Sequence, residues 1–313
     1  MARINAGLVS IVIPVYNEQE NLPVLYSRLK DVFNKSSYVY EMIFVDDGSR
    51  DDSWASIESL CAKDSAVKGL KFSRNFGHQC ALTAGMDYAS GDAVITMDAD
   101  LQHPPDMLPQ LIQKWEEGYD IVYTIRKKNK DSGLLKNIFS NYFYTVINKL
   151  ACINIPAGTA DFRLLGRNVV NSFKDIHERT RFLRGLVSWV GYKSISLPYI
   201  ANERYLGKSK YSFRKMAAFA IAAITSFSSF PLYVSSFLGL AIASISFCYG
   251  IYAIYGKLFT DRVIPGWTSV FVSILFLGGI QLIAIGVLGE YLARVYEEVK
   301  QRPLYLIMQK KGF

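Results

Sequence analysis

Two aspartates, Asp98 and Asp100, stand one residue apart directly after the apolar segment Ala93–Met97. This segment predicts a short buried β-strand, so the two acids come where the strand ends. Ligands of α/β sheets usually bind at such strand ends. Two neighbouring carboxylates can hold one hard divalent cation, and Mg²⁺ is commonly shared between one or two carboxylates and the phosphates of a substrate. The competing interpretation is an ordinary acidic turn, because Asp is common in turns.

Acidic residues also follow two earlier apolar segments. Pro14, Tyr16 and Glu18 close the first, and their ring and acid types can form one wall of a nucleobase pocket. Asp46 and Asp47 close the second, where a carboxylate can accept a hydrogen bond from a base N–H or a ribose hydroxyl. Each segment alone also fits a routine turn. Carboxylates crowded at three strand ends raise one another's pKa, and a divalent cation with a hydrogen-bonding ligand would compensate.

These acids require a sheet that brings strand ends together. Apolar runs alternate with segments of helical spacing along the first 125 residues, which predicts an α/β fold with a mostly parallel sheet. The predicted strands are 8–14, 40–45, 67–72, 93–97 and 120–125, and the predicted helices are 20–33, 51–63, 79–89 and 109–117.

Two long segments near the C-terminus contain no charged residue. One lies between Lys215 and Lys257 and the other between Arg262 and Glu290. Each is longer than the roughly 20 residues that span a bilayer core as a helix. We predict transmembrane helices at 231–256 and 264–289; the alternative is a buried hairpin in a large soluble core. Amphipathic, aromatic segments at 134–150 and 211–230 predict helices in the membrane interface, or ordinary packing on the α/β domain.

The net charge is +8, and its distribution favours a membrane partner over nucleic acid. Basic residues cluster on both sides of the predicted spans, and the loop between the spans is short, so both termini are expected in the cytoplasm. No N-terminal signal peptide is apparent, and the four cysteines lack metal or redox spacing. The flanking basic residues are Arg204, Lys208, Lys210, Arg214 and Lys215 before the spans, and Arg294, Lys300, Arg302, Lys310 and Lys311 after them.

Four motifs together resemble family 2 glycosyltransferases with the GT-A fold. They are Pro14-Val-Tyr-Asn-Glu18, Phe44-Val-Asp-Asp-Gly-Ser49, Ser73-Arg-Asn-Phe-Gly77 and Asp98-Ala-Asp-Leu-Gln-His-Pro104. With the two C-terminal spans, the chain resembles polyprenyl-phosphate glycosyltransferases of the bactoprenol glucosyltransferase type, which are related to dolichyl-phosphate mannose synthase. The resemblance covers almost the whole chain and says little about which sugar is transferred.

The resemblance implies roles for matching residues. Asp98 and Asp100 would bind Mg²⁺ or Mn²⁺ and the donor diphosphate, with Asp100 counted among the catalytic residues. Asp161, in a loop of the form Asp-Phe-Arg, would lie near the reacting sugar as a base or an orienting group. The nucleotide-sugar site would comprise Pro14, Tyr16, Glu18, Asp46, Asp47, Asp98 and Gln102, and the acceptor-phosphate site Arg163, Arg204 and Lys210. Arg126 is a further candidate for the acceptor phosphate, chosen for its charge rather than by the resemblance, and it could equally bind lipid headgroups.

We expect the three histidines to have structural roles rather than to act as ligands. They are His78, His103 and His177. Small residues in the two spans can pack between subunits, so a homo-oligomer is expected. The expected domains are a cytoplasmic GT-A domain at 1–210, a juxtamembrane helix at 211–230, transmembrane helices at 231–256 and 264–289, and a basic cytoplasmic tail at 290–313.

The expected reaction transfers a hexose, glucose in the first instance, from UDP-glucose to a polyprenyl phosphate with inversion at the anomeric carbon. The expected location is the cytoplasmic face of a bacterial inner membrane, where membrane lipids are further partners. The alternatives are use of GDP-mannose, a processive polysaccharide synthase, and a non-enzymatic membrane anchor or flippase component.

Overall fold

The computed structural model describes residues 7–126, 156, 158–176, 178–179, 181–200, 228–259 and 266–313. These residues form two compact units. The sheet unit contains the described residues up to 200 together with 302–313, and the helical unit contains 228–259 and 266–301. The predicted interfacial helix at 134–150, nearly all of 211–230, and the residues His177, Arg204 and Lys210 lie outside the described residues.

Strands and helices alternate through the first part of the sheet unit. The strands β1 to β5 and helices α1 to α4 lie within a few residues of their predicted positions, so the α/β prediction is confirmed. Their order is β1 (Leu8–Val15), α1 (Leu22–Asn34), β2 (Val39–Asp46), α2 (Ser53–Lys63), β3 (Val67–Phe72), α3 (His78–Tyr88), β4 (Ala93–Thr96), a 3₁₀ turn (Pro105–Met107), α4 (Leu108–Glu116) and β5 (Ile121–Arg126).

Further elements follow that the apolar patterns do not predict. They are β6 (Thr159–Gly166), α5 (Arg167–Lys174), α6 (Leu183–Trp189), β7 (Ser194–Tyr199) and, at the end of the chain, β8 (Ile307–Lys311). The described strands form one sheet in the order β7-β5-β6-β4-β1-β2-β3-β8. The pairs β1–β2, β1–β4, β2–β3 and β5–β7 are parallel, and the other three pairs are antiparallel.

The centre of the sheet is built from strands that are mostly apolar. Seven of the eight residues of β1 are buried, as expected for a parallel strand covered by helices on both faces. Helix α3 approaches β1 closely at Gly85, where an added Cβ would lie 2.1 Å from Val12 Cγ1. A larger residue at this position would therefore separate the helix from the strand.

Strand β6 corrects the predicted loop around Asp161-Phe-Arg163. It runs antiparallel between β4 and β5, with Thr96 opposite Arg163 and Val122 opposite Leu164. The prediction was wrong because this strand carries two charged side chains in its buried first half, which breaks the apolar pattern that marks a central strand.

The C-terminal segment 302–313 joins the sheet unit through β8, whereas the sequence suggested only a basic tail. Tyr305 stacks on Phe72 at a centroid distance of 5.2 Å, and its hydroxyl donates to Asp87 at 2.8 Å. Ser73 N–H donates to the Leu306 carbonyl at 3.0 Å. The segment therefore covers the β3 edge and fixes the chain that leads into the 73–77 loop.

The helical unit contains α7 (Phe230–Phe259) and α8 (Trp267–Val299). Their segments Phe230–Tyr249 and Val272–Val299 are long and apolar enough to cross a membrane. Large apolar side chains along both helices are exposed in the single chain, for example Leu240 at 68% and Leu282 at 72%. Such exposure is costly in water and is expected of helices that contact lipid.

Glu41 is a buried charge near the amino-terminal ends of the central strands. Its carboxylate accepts hydrogen bonds from the Ser10 hydroxyl and from Ser90 N–H at 2.7 Å, and lies 2.6 Å from Lys68 Nζ. Burial alone would raise the pKa of Glu41, but the bonds from Lys68 and Ser10 outweigh it and hold the pKa below its ordinary value. The ionised form is therefore the one that the folded protein favours.

Replacing Glu41 with Ala should lower the free energy of unfolding by about 3 kcal/mol at neutral pH, because the partners of a buried charge are left unsatisfied. Since the folded-state pKa is depressed, this contribution is present above the unfolded pKa of about 4.3 and is lost as pH falls through the folded pKa. Thermal unfolding of the full chain should show the gap between wild type and Glu41→Ala closing at acidic pH. The control is Glu117→Ala, an exposed partner of Lys114; an equal effect of both variants would contradict the prediction.

Candidate active site

The three predicted acidic turns meet at one edge of the sheet. Strands β4, β1 and β2 are adjacent and parallel, so the residues after them emerge side by side. The β1 and β2 turns are joined directly: Asn17 N–H donates to Ser49 Oγ at 3.0 Å, and Arg50 N–H donates to Asn17 Oδ1 at 2.8 Å. Asn17 has a positive φ of 55°. The two turns therefore form one continuous wall.

The residues assigned to the base pocket lie along this wall and differ in their exposure to solvent. Pro14 is buried within β1, Glu18 is partly buried, and Tyr16 is 39% exposed. Glu18 N–H donates to Ser53 Oγ at 2.9 Å, and Glu18 Oε2 accepts from Asn21 Nδ2. An exposed ring beside a fixed acid suits a planar ligand such as a nucleobase.

Asp46 and Asp47 are neighbours with different surroundings. Both are buried, and burial raises the pKa of each carboxyl group. Asp46 Oδ1 accepts from Ser49 N–H at 3.0 Å, whereas its Oδ2 is buried without a hydrogen-bond partner among the described residues. A buried unpaired acceptor is costly, so this oxygen is suited to a ligand donor such as a base N–H or a ribose hydroxyl.

Asp47 holds backbone rather than facing an open space. Its carboxylate accepts hydrogen bonds from Phe76 N–H at 2.6 Å and from Gly77 N–H at 3.0 and 3.1 Å. Gly48 packs against the same loop, because an added Cβ would lie 2.6 Å from backbone atoms of Arg74 and Asn75. Asp47 therefore connects the β2 turn to the start of α3, and its place in the nucleotide site stays a prediction.

The Asp98–Asp100 turn is held by His103. Asp98 N–H donates to His103 Nδ1 at 3.0 Å, which leaves the proton of the neutral ring on Nε2, 3.7 Å from Asp98 Oδ2. His103 is buried and stacks on Phe162 at 5.0 Å. The ring thus supports the turn, in agreement with the structural role expected for it.

The two acids of this turn are both partly exposed. Asp100 Oδ1 accepts from Gln102 N–H at 3.2 Å, and the intervening Leu101 has a φ of 61°, which is unusual for a residue other than glycine. Asp98 Oδ1 is buried and accepts no hydrogen bond in the described part of the chain. The turn therefore holds one carboxylate oxygen, Asp98 Oδ1, that accepts no hydrogen bond from the described residues.

A divalent cation fits these residues. Among the described residues no group of three or more His, Cys, Asp or Glu side chains forms a metal site. Two carboxylates, Asp98 and Asp100, agree with the way Mg²⁺ is held, since it takes one or two protein carboxylates and completes its shell with water and substrate phosphates. The orphaned Asp98 Oδ1 is the observation that supports such an ion.

Asp161 is clamped by two arginines. Its carboxylate is bonded by Arg163 Nη2, and by Arg184 Nη2 at 2.7 Å and Nε at 3.1 Å. Burial alone would raise the pKa of Asp161, but Arg184 and Arg163 outweigh it and hold the pKa well below its usual range. A carboxylate so stabilised is a weak base. The geometry favours an orienting role for Asp161 over proton abstraction.

The two arginines differ in accessibility. Arg163 is buried, and its Nη1 has no hydrogen-bond partner among the described residues. Arg184 reaches Asp161 from α6, and 28% of its side chain is exposed. The cluster of Asp161, Arg163 and Arg184 carries one negative and two positive charges, so it can accept an anion such as a phosphate.

Arg126 ends β5 beside Tyr199 of β7. Arg126 is exposed, and burial together with Asp98 and Asp100 raises the pKa of the Tyr199 hydroxyl to about 12, with Arg126 and Arg184 acting in the opposite direction. The Tyr199 hydroxyl therefore feels the charges of both the Asp98–Asp100 turn and the two arginines, Arg126 and Arg184. Sequence reasoning did not select it, because its strand had not been predicted.

The site contains two more residues that sequence reasoning missed or interpreted otherwise. Arg184 lies in a segment with no recognisable motif, 23 positions beyond its partner. His78, interpreted as structural, places Nε2 3.5 Å from Asp98 Oδ1 and 3.8 Å from Asp161 Oδ2. Both pairings are long-range, so residue type and spacing alone carry no sign of them.

The sheet topology and the acids at its strand ends define a GT-A glycosyltransferase. Residues 10–173 match glycosyl transferase family 2, and the chain belongs to that family. It is therefore an enzyme of the glycosyltransferase class, as predicted.

Relatives of known sequence extend the likeness over almost the whole chain. A prophage-derived bactoprenol glucosyl transferase of Shigella flexneri is 45% identical over 96% of this chain and 97% of its own length. An uncharacterized glycosyltransferase of Bacillus subtilis is 44% identical over 97% and 94%. The solved structure of a Mycobacterium tuberculosis glucosyl-3-phosphoglycerate synthase with Mn²⁺, UDP and phosphoglyceric acid is 16% identical, with a TM-score of 0.47 over 71% of this chain and 77% of that one.

Proposed function

We propose that the protein transfers glucose from UDP-glucose to a polyprenyl phosphate, with inversion at the anomeric carbon. The clamped Asp161 beside the acidic strand ends is the observation that carries the proposal. It gives the site one end lined by carboxylates and another lined by arginines. The first suits a metal-bound diphosphate, and the second suits a phosphate acceptor. The Shigella relative, a bactoprenol glucosyl transferase by name, supports glucose as the transferred sugar and a polyprenyl carrier as the acceptor.

The donor end binds the nucleotide through the β1 and β2 turns. Tyr16 would contact the base, and the free Oδ2 of Asp46 would accept a hydrogen bond from the base or ribose. Asp98 and Asp100 would hold Mg²⁺ or Mn²⁺, and the ion supplies positive charge that stabilises the departing diphosphate. Gln102 would also contribute to this side of the site, since its N–H donates to Asp100 Oδ1 within the same turn.

At the acceptor end, Arg163 and Arg184 would bind the lipid phosphate, and Asp161 would hold their guanidinium groups in place. A phosphate monoester has its second pKa near 6, so the attacking oxygen is already largely ionised at neutral pH. A strong general base is therefore unnecessary. The attacking oxygen forms the new bond to the anomeric carbon while the bond to the β-phosphate oxygen breaks and UDP departs.

The helical unit suits an acceptor that stays in a bilayer. The exposed apolar surfaces of α7 and α8 and their span-like segments support insertion in a bacterial inner membrane. The basic residues beside the spans favour a cytoplasmic catalytic domain on 1–210 with both termini on that side. Arg204 and Lys210 remain candidates for the acceptor phosphate or lipid headgroups, and assembly as a homo-oligomer stays a prediction.

The test uses the purified full chain, labelled UDP-glucose and polyprenyl phosphate in detergent, with Mg²⁺, Mn²⁺ or EDTA. We expect label in the organic phase only when both the metal and the acceptor are present, and none with the unphosphorylated polyprenol. GDP-mannose and other nucleotide sugars run in parallel identify the preferred donor. Absence of lipid-linked label with every donor would refute the proposed function.

A further inference from the structure

His78 is the first residue of α3 and follows Gly77, whose φ is 102°. The backbone just before it is fixed, because the Asp47 carboxylate accepts hydrogen bonds from both Phe76 N–H and Gly77 N–H. The opposite side of the 73–77 loop is tied to the C-terminal segment through Ser73 and Leu306. The position of the His78 backbone is therefore determined by two separate parts of the chain, the β2 turn and the C-terminal segment.

The imidazole stands between the two ends of the site. Nε2 lies 3.5 Å from Asp98 Oδ1 and 3.8 Å from Asp161 Oδ2, and 42% of the side chain is exposed. Both distances are longer than an ordinary hydrogen bond, so neither carboxylate saturates this nitrogen. An exposed, rigidly mounted ring with an unsaturated nitrogen is well placed to bind a ligand.

The position of His78 between the two ends of the site indicates which part of the substrates it can contact. In a single displacement the transferred sugar lies between the leaving phosphate, held on the Asp98 side, and the attacking phosphate, held on the Asp161 side. His78 occupies the boundary between these two sides. We propose that His78 hydrogen-bonds a hydroxyl group of the transferred sugar and contributes to the selection of the sugar. This inference rests on the proposed function for the order of the two sides.

The chemistry of the side chain agrees with a hydroxyl partner. A neutral imidazole has one N–H donor and one acceptor nitrogen. A sugar hydroxyl can form a hydrogen bond with either, because it can both accept and donate. Epimers differ in the direction of one hydroxyl, so a fixed ring makes the bond with one epimer and leaves it unmade with another. A missing hydrogen bond in a closed site lowers binding and rate for the wrong sugar.

Binding measurements isolate this contact. We compare UDP-glucose with UDP, both in the presence of Mn²⁺, on the full-length wild type, His78→Ala and His78→Gln. His78→Ala should weaken UDP-glucose binding about tenfold and leave UDP binding unchanged, since one net hydrogen bond to the sugar is lost. His78→Gln should restore most of the loss, because the Gln amide can place a donor near the position of Nε2. The control is Gln113→Ala, an exposed position on α4.

Three results would overturn the inference. First, His78→Ala could weaken the binding of UDP and UDP-glucose equally, which would assign His78 to the diphosphate. Second, His78→Ala could bind both ligands as the wild type does. Third, the wild type could bind UDP-glucose no more tightly than UDP. Transfer rates with UDP-glucose and UDP-galactose should show the preference between them reduced in His78→Ala. A sugar-dependent loss of binding without transfer to polyprenyl phosphate would refute the proposed acceptor and leave the role of His78 intact.

Discussion

Replacing Asp98 with Asn is expected to reduce kcat/KM for glycosyl transfer by about 10³-fold, because the charge that would hold the metal and stabilise the leaving diphosphate is removed. The fold should remain intact. The backbone bond from Asp98 N–H to His103 does not involve the substituted group, and Asn has the same shape as Asp. Transfer rates at several Mn²⁺ concentrations measure the effect, and high Mn²⁺ should recover little of the loss.

The matched control is Asp106→Asn, an exposed acid in the 3₁₀ turn that follows the same motif. It changes the net charge equally, and its side chain is exposed to solvent. Wild-type rates in Asp98→Asn, or equal losses in both variants, would contradict the assignment of the metal and diphosphate to this turn.

Replacing Arg184 with Gln should lower kcat/KM for transfer about 100-fold, because a partly exposed cation at the acceptor end and one half of the Asp161 clamp are lost together. The acidic limb of the pH profile should also move. Arg184 helps to keep the pKa of Asp161 low, so its removal raises that pKa, and protonation of Asp161 then occurs at higher pH. Activity of the variant should therefore fall earlier as the solution is acidified.

Arg184→Lys keeps the charge without the two-pronged contact and should give an intermediate rate with little movement of the acidic limb. Lys174→Gln, an exposed charge at the end of α5, provides the control for lost positive charge. A wild-type pH profile and rate in Arg184→Gln would show that the clamp has no part in the reaction.

The first half of the fold was predictable because its information is local. The strands β1, β2 and β4 are rich in apolar residues, and Leu22, Leu25, Leu29 and Phe33 of α1 repeat at helical spacing. The acids at the strand ends could then be brought together by topology alone, without any knowledge of contacts. The topology agrees with this reasoning to the extent that Asp46 and Asp98 follow parallel strands on either side of β1.

The second half depends on partners far apart in sequence. Strand β6 is charged where it is buried, and its Asp161 is stabilised by Arg184 from a different element. Strand β8 ends in Lys310 and Lys311, which are typical of exposed edge strands and resemble a basic tail in the sequence. His78 joins the site because Asp47 holds the preceding backbone. The sequence around these residues has no periodic pattern from which the contacts could have been predicted.

The position of β8 also constrains how the protein is made. The ribosome completes α7 and α8 before it reaches residues 307–311, so the sheet remains one strand short throughout synthesis of the helical unit. Until translation has passed this point, the β3 edge is unpaired and exposes backbone groups that favour association with other chains. Maturation of the sheet is therefore a late event in biogenesis, coming after both hydrophobic helices have been synthesised.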